Sequence, residues 1–447
     1  MAKVTGIDIY KLLPRTNCGD CSFPTCMAFA MQVAAKKAAL DACPHVSAEA
    51  QSALGDAQAP PMQTVTIGTG DRELVIGGET VLFRHEEKFH HPTGIAIRVP
   101  GSLSDSEIDA RLDAIAGLVF HRVGEDIAVN AVAVDGEQAE PAAYKSTVDR
   151  IASKTELPLF LLCRNTEALA TACEGVAAFR PLIGPADSEN VEAMAGLAAK
   201  HKLPLLVQSE TLDELAVLTE KAKAAGAEDL VLEPLACDLS NLLAKLAQLR
   251  RLALEKVYRP LGYPTLVTAP GDGASSEALA MGAAICRYAG VVITNAAEPW
   301  QILPQLTTRQ NIYTDPQVPN AIEAKLYEIG DPGADAPVLL TTNFALTYFT
   351  VAGEVENSRV PAYICVVETE GLGVLNAYAD DKLSTEIIVK ALEAQGVMEK
   401  VSHNKLIIPG LVAVLRMEIE EESGLEVIVG PEDAAGIPVF LKTEWSP

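Results

Sequence analysis

Aromatic residues make up only 5% of this 447-residue chain, although 49% of its residues are hydrophobic. That scarcity disfavours a sandwich built on aromatic cross-strand pairs, and the dominance of Ala, Leu and Val favours α/β packing. No apolar run reaches the 18 residues of a membrane span, so no membrane partner is expected. The opening MAKVTGIDIYKLLP lacks the charged start and long apolar stretch of a signal peptide, and a cytoplasmic location is expected. Cations are scarce too. Lys and Arg number 35 against 60 Asp and Glu, a net charge of −25, whereas nucleic acid is bound by clustered cations. No nucleic-acid partner is expected.

The acidic excess is unevenly placed. Residues 1–57 carry five basic and five acidic groups, which leaves 30 of the basic and 55 of the acidic residues to the remainder. A separate neutral module is expected at the start of the chain. The length alone argues for two or three domains. Residues 1–57 read as a small helical cluster domain, closed by ALGDAQAPP. Residues 58–92 read as a linker with a β-hairpin, because the turns GTGD and GG separate alternating apolar stretches. Within it, RHEEKFHHP gathers His85, His90 and His91 with Glu86 and Glu87. It lacks the helical i, i+4 His pair of a zinc protease, and a polar connector is the better reading.

From residue 93 to 315 apolar strands alternate with helical stretches. Candidate strands are 94–99, 126–134, 158–162, 177–184, 204–209, 229–235, 264–270 and 291–295. Eight such pairs predict a (β/α)8 TIM-type barrel. Its strand ends carry Asp135, Gln208 and Glu233, polar residues in no catalytic pattern, so the barrel reads as scaffold. APGDGASSEALAMG (269–282) reads as a capped turn in preference to a phosphate cradle. Residues 316–447 hold four or five further strands, at 337–343, 362–369, 405–410 and 425–430, and predict a doubly wound, flavodoxin-like domain.

Nine cysteines are present, and three of them fall within nine positions. Cys18, Cys21, Cys26 and Cys43 have the spacing C-x2-C-x4-C-x16-C. Thiols that stay reduced in a cytosolic chain cluster to hold metal. Four thiolates suit zinc or a [4Fe–4S] cubane. Only one C-x2-C knuckle is present, and Gly19, Ser22 and Thr25 bring small residues and backbone N–H groups beside the ligands, which favours iron–sulfur over zinc. Full thiolate ligation leaves no open iron, so electron transfer is the expected role. Cys163, Cys173, Cys237, Cys286 and Cys365 are isolated and read as small buried hydrophobes.

In a doubly wound sheet the ligand sits at the carboxyl ends of the strands. There Thr341, Asn343 and Thr347 offer hydrogen bonds, and Gly371-x-Gly373 follows a strand as only a fragment of a dinucleotide fingerprint. Small residues at these ends let backbone approach a large flat ligand.

Together these features resemble the large subunit of the corrinoid iron–sulfur proteins, equally the gamma subunit of acetyl-CoA decarbonylase/synthase. The resemblance rests on YKLLPRTNCGDCSFPTCMAFAMQVAAKKAALDACPHVS, on the eightfold middle, and on LLTTNFALTYF with VVETEGLGVLNAYA. It implies a [4Fe–4S] cluster on Cys18, Cys21, Cys26 and Cys43. It also implies a corrinoid on the C-terminal domain, held at Thr341, Thr347, Gly371, Leu372, Gly373, Val374, Ala434 and Ala435, facing a barrel-shaped small subunit in a heterodimer. The implied activity is methyl carriage in the reductive acetyl-CoA pathway. Cobalt, as Co(I), takes the methyl from methyltetrahydrofolate through a methyltransferase and delivers it to carbon monoxide dehydrogenase/acetyl-CoA synthase. The cluster, fed by a low-potential donor such as ferredoxin, would restore Co(I) from Co(II). Many cobalamin domains carry Asp-x-His-x-x-Gly, whose His ligates cobalt from below, and none of the seven histidines here stands in that setting. Loss of an axial imidazole eases reduction to Co(I). Two other readings stay open: an iron–sulfur electron-transfer subunit without corrinoid, and a barrel enzyme acting on a small phosphorylated substrate.

Overall fold

The computed structural model describes residues 6–34, 38, 42–47, 60–136 and 140–447. The linker expected at 53–61 lies outside the described residues except for its two prolines. Of the run CMAFAMQVAAKKAALDAC (26–43), residues 26–34 are helix, and residues 35–37 and 39–41 lie outside the described residues. Contacts divide the chain into two compact units, Met1–Val119 with Ala128–Tyr313, and Phe120–Ile127 with Thr314–Pro447. No helix among the described residues is long and apolar enough to cross a membrane.

The cysteine segment begins with helices α1 (Gly6–Leu12) and α2 (Cys26–Ala34). Ile9, Leu13, Phe29, Ala30 and Val33 from these segments make one small apolar core, which includes Cys26 and Cys43. Strands β1 (Thr64–Ile67) and β2 (Leu74–Gly77) then pair antiparallel as a hairpin. Its apolar face, Val65, Ile67, Leu74 and Ile76, packs with the inward residues of the barrel strands. The hairpin is therefore a floor of the barrel and not a free connector. The next segment is tied down by Glu79, whose Oε1 accepts the backbone N–H groups of His90 and His91 at 3.0 and 3.1 Å. Arg250, buried between the rings of Phe89 and Tyr288, lies 3.9 Å from the other Glu79 oxygen. Burial lowers the Arg250 pKa, and Glu79 opposes that shift. His85 and His90 are exposed, while His91 is half-buried with Nδ1 2.6 Å from Gly77 O.

The barrel follows in chain order: β3 (Gly94–Pro100), α3 (Asp105–Ala116), an inserted hairpin β4 (Val119–Arg122) and β5 (Glu125–Ala128), then β6 (Ala131–Asp135), α4 (Pro141–Lys154), β7 (Leu159–Leu162), α5 (Thr166–Val176), β8 (Leu182–Ala186) and α6 (Val191–His201). It continues with β9 (Leu205–Ser209), α7 (Leu212–Ala224), β10 (Leu230–Pro234), α8 (Leu239–Leu254), β11 (Leu266–Thr268), α9 (Ala274–Cys286), β12 (Val291–Thr294) and α10 (Pro299–Tyr313). All eight barrel strands are parallel, in the order β10-β9-β8-β7-β6-β3-β12-β11. A parallel bridge between Leu232 and Thr265, with the Leu232 N–H donated to Pro264 O at 2.9 Å, closes the ring. The strands are buried along almost their whole length, as parallel strands covered by helices must be. Helix starts use the expected chemistry. Ser104 and Glu107 form a capping box on α3, and Asp238 accepts the Asn241 N–H at 2.7 Å on α8.

Two expected strands differ from those observed. The run 126–134 is two strands, β5 and β6, broken where Asn130 turns inward. Its N–H donates to Ile95 O at 2.8 Å, and its Oδ1 accepts from Ile95 N and from Arg309. The run 177–184 begins with a 3-10 turn at Ala177–Phe179, and only Leu182 onward is strand.

The second unit is a five-stranded sheet: β13 (Leu326–Ile329), β14 (Val338–Thr342), α11 (Ala345–Ser358), β15 (Ala362–Val367), α12 (Val374–Ala379), α13 (Thr385–Ala394), α14 (Val397–Lys400), β16 (Lys405–Ile408), α15 (Arg416–Ser423), β17 (Glu426–Val429) and α16 (Ile437–Thr443). Strand order is β13-β15-β14-β16-β17, with β13 antiparallel at one edge and the other four parallel. Apolar clusters cover both faces. One packs Tyr348 and Val355 of α11 with Leu441 of α16, and the other packs Ile388 and Leu392 of α13 with Ile419 of α15. The sheet is doubly wound, and its order reverses at β14 and β16. The antiparallel edge β13 escaped the sequence reading because AKLYEIG is short and lacks clear alternation.

Candidate functional site

Cys18 and Cys21 lie in the loop between α1 and α2, and Cys26 opens α2. The loop is shaped by left-handed residues, with Asn17 at φ 48°, Gly19 at 83° and Ser22 at 65°. A turn closes where Ser22 N–H donates to Gly19 O at 2.9 Å. Asn17 Oδ1 accepts the N–H of Cys26 at 2.8 Å, which ties the loop start to the helix start. Cys26 and Cys43 are buried, Cys21 is half-buried against the same apolar cluster, and Cys18 is exposed. Soft thiolates on a short, turn-rich loop beside one helix suit a thiophilic iron–sulfur centre.

Two polar neighbours of this loop were not singled out from the sequence. His45 Nε2 lies 2.6 Å from Asp20 Oδ2, and the ligand atoms of Cys18, Asp20 and His45 lie within 4.8 Å of one another. Hydrogen bonds from His45, and secondarily from Cys18, hold the Asp20 carboxyl below the usual carboxylate range. The signal was present in the sequence, since Asp20 stands between two cysteines and His45 follows Cys43 by two positions. His85, His90 and His91 form no comparable set among the described residues.

In the second unit the predicted residues gather at the carboxyl ends of the strands. Thr341, at the end of β14, is 1% exposed, and its Oγ1 is buried without a hydrogen-bond partner, as is that of Thr342. An unpartnered buried hydroxyl costs about 1–3 kcal/mol, which a ligand amide reaching it would recover. Thr347 is half-buried in the first turn of α11. Gly371 has φ 74°, and a Cβ there would lie 2.7 Å from Pro319 Cβ, so no side chain fits. Gly373 precedes α12 with ordinary φ, its missing Cβ facing Phe344 and Thr347 Oγ1. Leu372 N–H donates to Thr369 O at 3.1 Å, and Val374 is buried. Ala434 and Ala435 form a 3-10 turn after β17, capped where Asp433 Oδ1 accepts the Ala435 N–H at 3.1 Å.

Asn343 carries an internal hydrogen-bond network. Its side chain is 2% exposed and already occupied. Oδ1 accepts from Thr369 N, Thr369 Oγ1 and Gly371 N, at 3.1, 2.9 and 2.9 Å, while Nδ2 donates to Glu368 Oε1 at 2.8 Å. It braces the 368–371 loop from within, with its oxygen fully taken up by that loop.

Sequence reasoning also missed an apolar rim. Leu346, Leu375, Leu411 and Val439 each follow a different parallel strand and are 43%, 53%, 40% and 65% exposed. Aliphatic side chains left in water after every parallel strand mark a face made to be covered. Each sits in the first turn of the helix or 3-10 turn that follows its strand, a pattern visible only once those starts are known.

Other expectations separate. Cys163, Cys173 and Cys365 are buried, but Cys237 and Cys286 are exposed, because each lies in or beside a helix on the barrel exterior. The stretch 269–282 is a turn into α9 whose Glu277 is buried, with Oε1 accepting the Asn295 N–H at 2.7 Å. A buried carboxyl in the first turn opposes phosphate there.

The family model described as CO dehydrogenase/acetyl-CoA synthase delta subunit matches residues 64–441, and a family model for an Fe-S cluster matches residues 13–45. The chain is 44% identical over 439 residues to the corrinoid/iron-sulfur protein large subunit of Moorella thermoacetica, covering 98% of each chain. It is 35% identical over 458 residues to the acetyl-CoA decarbonylase/synthase complex subunit gamma of Methanopyrus kandleri, covering 99% of this chain and 98% of that one. One model bears the delta name while these relatives are large or gamma subunits. The relatives align end to end, cysteine segment included, and so decide between the two. Among solved structures, dihydropteroate synthase of Yersinia pestis aligns with 49% of this chain and 93% of its own, at 14% identity and a TM-score of 0.38.

Proposed function

The chain belongs to the family of corrinoid/iron-sulfur protein large subunits and acetyl-CoA decarbonylase/synthase gamma subunits, and on that premise we propose that it is the methyl-carrying subunit of the reductive acetyl-CoA pathway. Cys18, Cys21, Cys26 and Cys43 hold a [4Fe–4S] cluster, and the carboxyl ends of β14 to β17 hold a corrinoid. When bound, the corrinoid supplies cobalt that takes a methyl group from methyltetrahydrofolate through a methyltransferase and yields it to acetyl-CoA synthase, while the cluster supplies the electron that restores Co(I).

The chain's own residues serve that chemistry in three ways. The buried, unpartnered Thr341 hydroxyl and the half-buried Thr347 near Gly373 offer hydrogen bonds to the amide side arms of the macrocycle. Gly371 and Gly373 keep the 371–374 loop free of side chains, so backbone can lie against a flat ring. Leu346, Leu375, Leu411 and Val439 supply the apolar rim that excludes water from it, and the remaining rim meets the small subunit of a heterodimer. Histidine is kept away. In this unit His403 sits at the amino end of β16, its Nε2 2.9 Å from Ala336 O and its Nδ1 accepting from Lys405 N, while His121 pairs with Asp126. His403 thus lies at the strand end opposite the ligand face. A low-potential donor such as ferredoxin feeds the cluster.

The observation that carries this reading is the orphaned Thr341 hydroxyl inside an apolar rim at a topological switch point. Cobalt and iron analysis of anaerobically purified protein tests it. Corrinoid with iron–sulfur is expected, and iron without cobalt would leave an electron-transfer subunit.

A further inference from the structure

The loop NCGDCSFPTC (17–26) carries one charged side chain, Asp20, and it stands between two of the four clustered cysteines. Cys26 and Cys43 are buried in the small apolar core of their segment, whereas Cys18 is exposed. The surroundings of the Cys18 sulfur are therefore set by polar side chains and not by packing. His45 reaches them from the other end of the segment, two residues after Cys43. Its Nε2 lies 2.6 Å from Asp20 Oδ2, and the ligand atoms of Cys18, Asp20 and His45 all lie within 4.8 Å of one another.

The two ends of this bond are anchored separately. Asn17 Oδ1 ties the start of the loop to the Cys26 N–H at 2.8 Å, and Val46 packs against the same core beside Cys43. The side chains of His45 and Asp20 are 49% and 52% exposed, and a pair so exposed adds little to stability. Its consequence lies in what it places beside a sulfur. A cysteine bound to iron is a thiolate and has no proton to give. A carboxylate next to it is held there against repulsion by His45, which spends its own N–H on Asp20 and not on the sulfur. The potential of an iron–sulfur centre follows its net charge and the hydrogen bonds to its sulfurs. Negative charge beside the centre, and a donor withheld from it, both disfavour the added electron of the reduced state.

We propose, on the reading that the four cysteines hold a [4Fe–4S] cluster, that Asp20 lowers the cluster's reduction potential through the Cys18 sulfur and that His45 positions it. Neither residue is a ligand of the cluster. The two halves of the pair act in opposite directions. Asp20→Asn removes the negative charge and offers the sulfur an amide donor, so the potential rises. His45→Ala leaves the carboxylate without its counterweight, so the potential falls. His45→Gln keeps a donor for Asp20 and stays closer to wild type than His45→Ala. A pair that merely held the loop in shape would move both potentials in one sense or move neither.

The test is a redox titration of the anaerobic full-length protein with its small subunit, followed by the electron paramagnetic resonance signal of the reduced cluster. Iron content and visible spectra are compared across the variants. Shifts of about threefold or more in the one-electron equilibrium constant are expected, as for one unit charge a few ångströms away in water, positive for Asp20→Asn and negative for His45→Ala. Absence of a cubane signal from the wild type would remove the cluster reading and the proposal with it. A wild-type signal with an unmoved Asp20→Asn potential, with shifts of the same sign in Asp20→Asn and His45→Ala, or with loss of the cluster from Asp20→Asn, would overturn the proposal alone.

Discussion

The side-chain Oδ1 of Asn343 accepts the backbone N–H of Gly371 at 2.9 Å, joining the end of β14 to the loop after β15. The same oxygen takes two bonds from Thr369, so one carboxamide sets the shape of the loop that the proposed corrinoid face uses.

Asn343→Ala leaves the N–H groups of Thr369 and Gly371 buried without acceptors. A loss of about 2–6 kcal/mol is expected, since each of the two stranded buried groups costs about 1–3 kcal/mol. Urea unfolding of the second unit, followed by Trp445 fluorescence in a Trp300→Phe background, reads it. Corrinoid affinity should fall with it. Wild-type stability would show that the loop holds its own shape.

Gly371 and Gly373 should respond differently. Gly371→Ala puts a Cβ against Pro319 at φ 74°, and a loss of about 1–3 kcal/mol is expected. Gly373→Ala meets its nearest neighbour at an ordinary 3.5 Å with unstrained φ, so stability should hold while corrinoid affinity drops. Equal affinity of Gly373→Ala and wild type would remove the ring from that loop.

Glu233 gives the barrel a pH signature. Burial raises its folded pKa above the unfolded value, so the folded state holds a proton that the unfolded state gives up above about pH 4.5. Stability should therefore fall as pH rises from there to the folded pKa. Glu233→Gln lacks this titration, and its stability relative to wild type should grow from about pH 4.5 up to the folded pKa and hold level above it. Unfolding monitored through Trp300 in a Trp445→Phe background measures it, and a constant difference across that range would show Glu233 ionised in the fold.

Much of this was legible from residue pattern alone. Eight apolar runs separated by capped helices specify the barrel, because strands buried on both faces must be continuously apolar. The cysteine spacing was legible because ligands are few chemical types at short separations. What escaped was decided by contacts far apart in the chain. Asn130 breaks the run 126–134 through bonds to Ile95 and Arg309. The bracing role of Asn343 comes from Thr369 and Gly371, distant in the chain, coming to lie beside it. Asp135, Gln208 and Glu233 had no pattern in sequence because only barrel closure makes them neighbours.

The assignment of roles to the two ends of the chain is tested by Cys21→Ala, compared with wild type by visible and electron paramagnetic resonance spectra of the anaerobic protein with its small subunit. The account predicts iron–sulfur and corrinoid absorption in wild type. It predicts loss of the cluster signal with retained corrinoid in the variant, and failure of the physiological reductant to restore Co(I) from Co(II). A variant that keeps its cluster, or that recovers Co(I) at the wild-type rate, would contradict it.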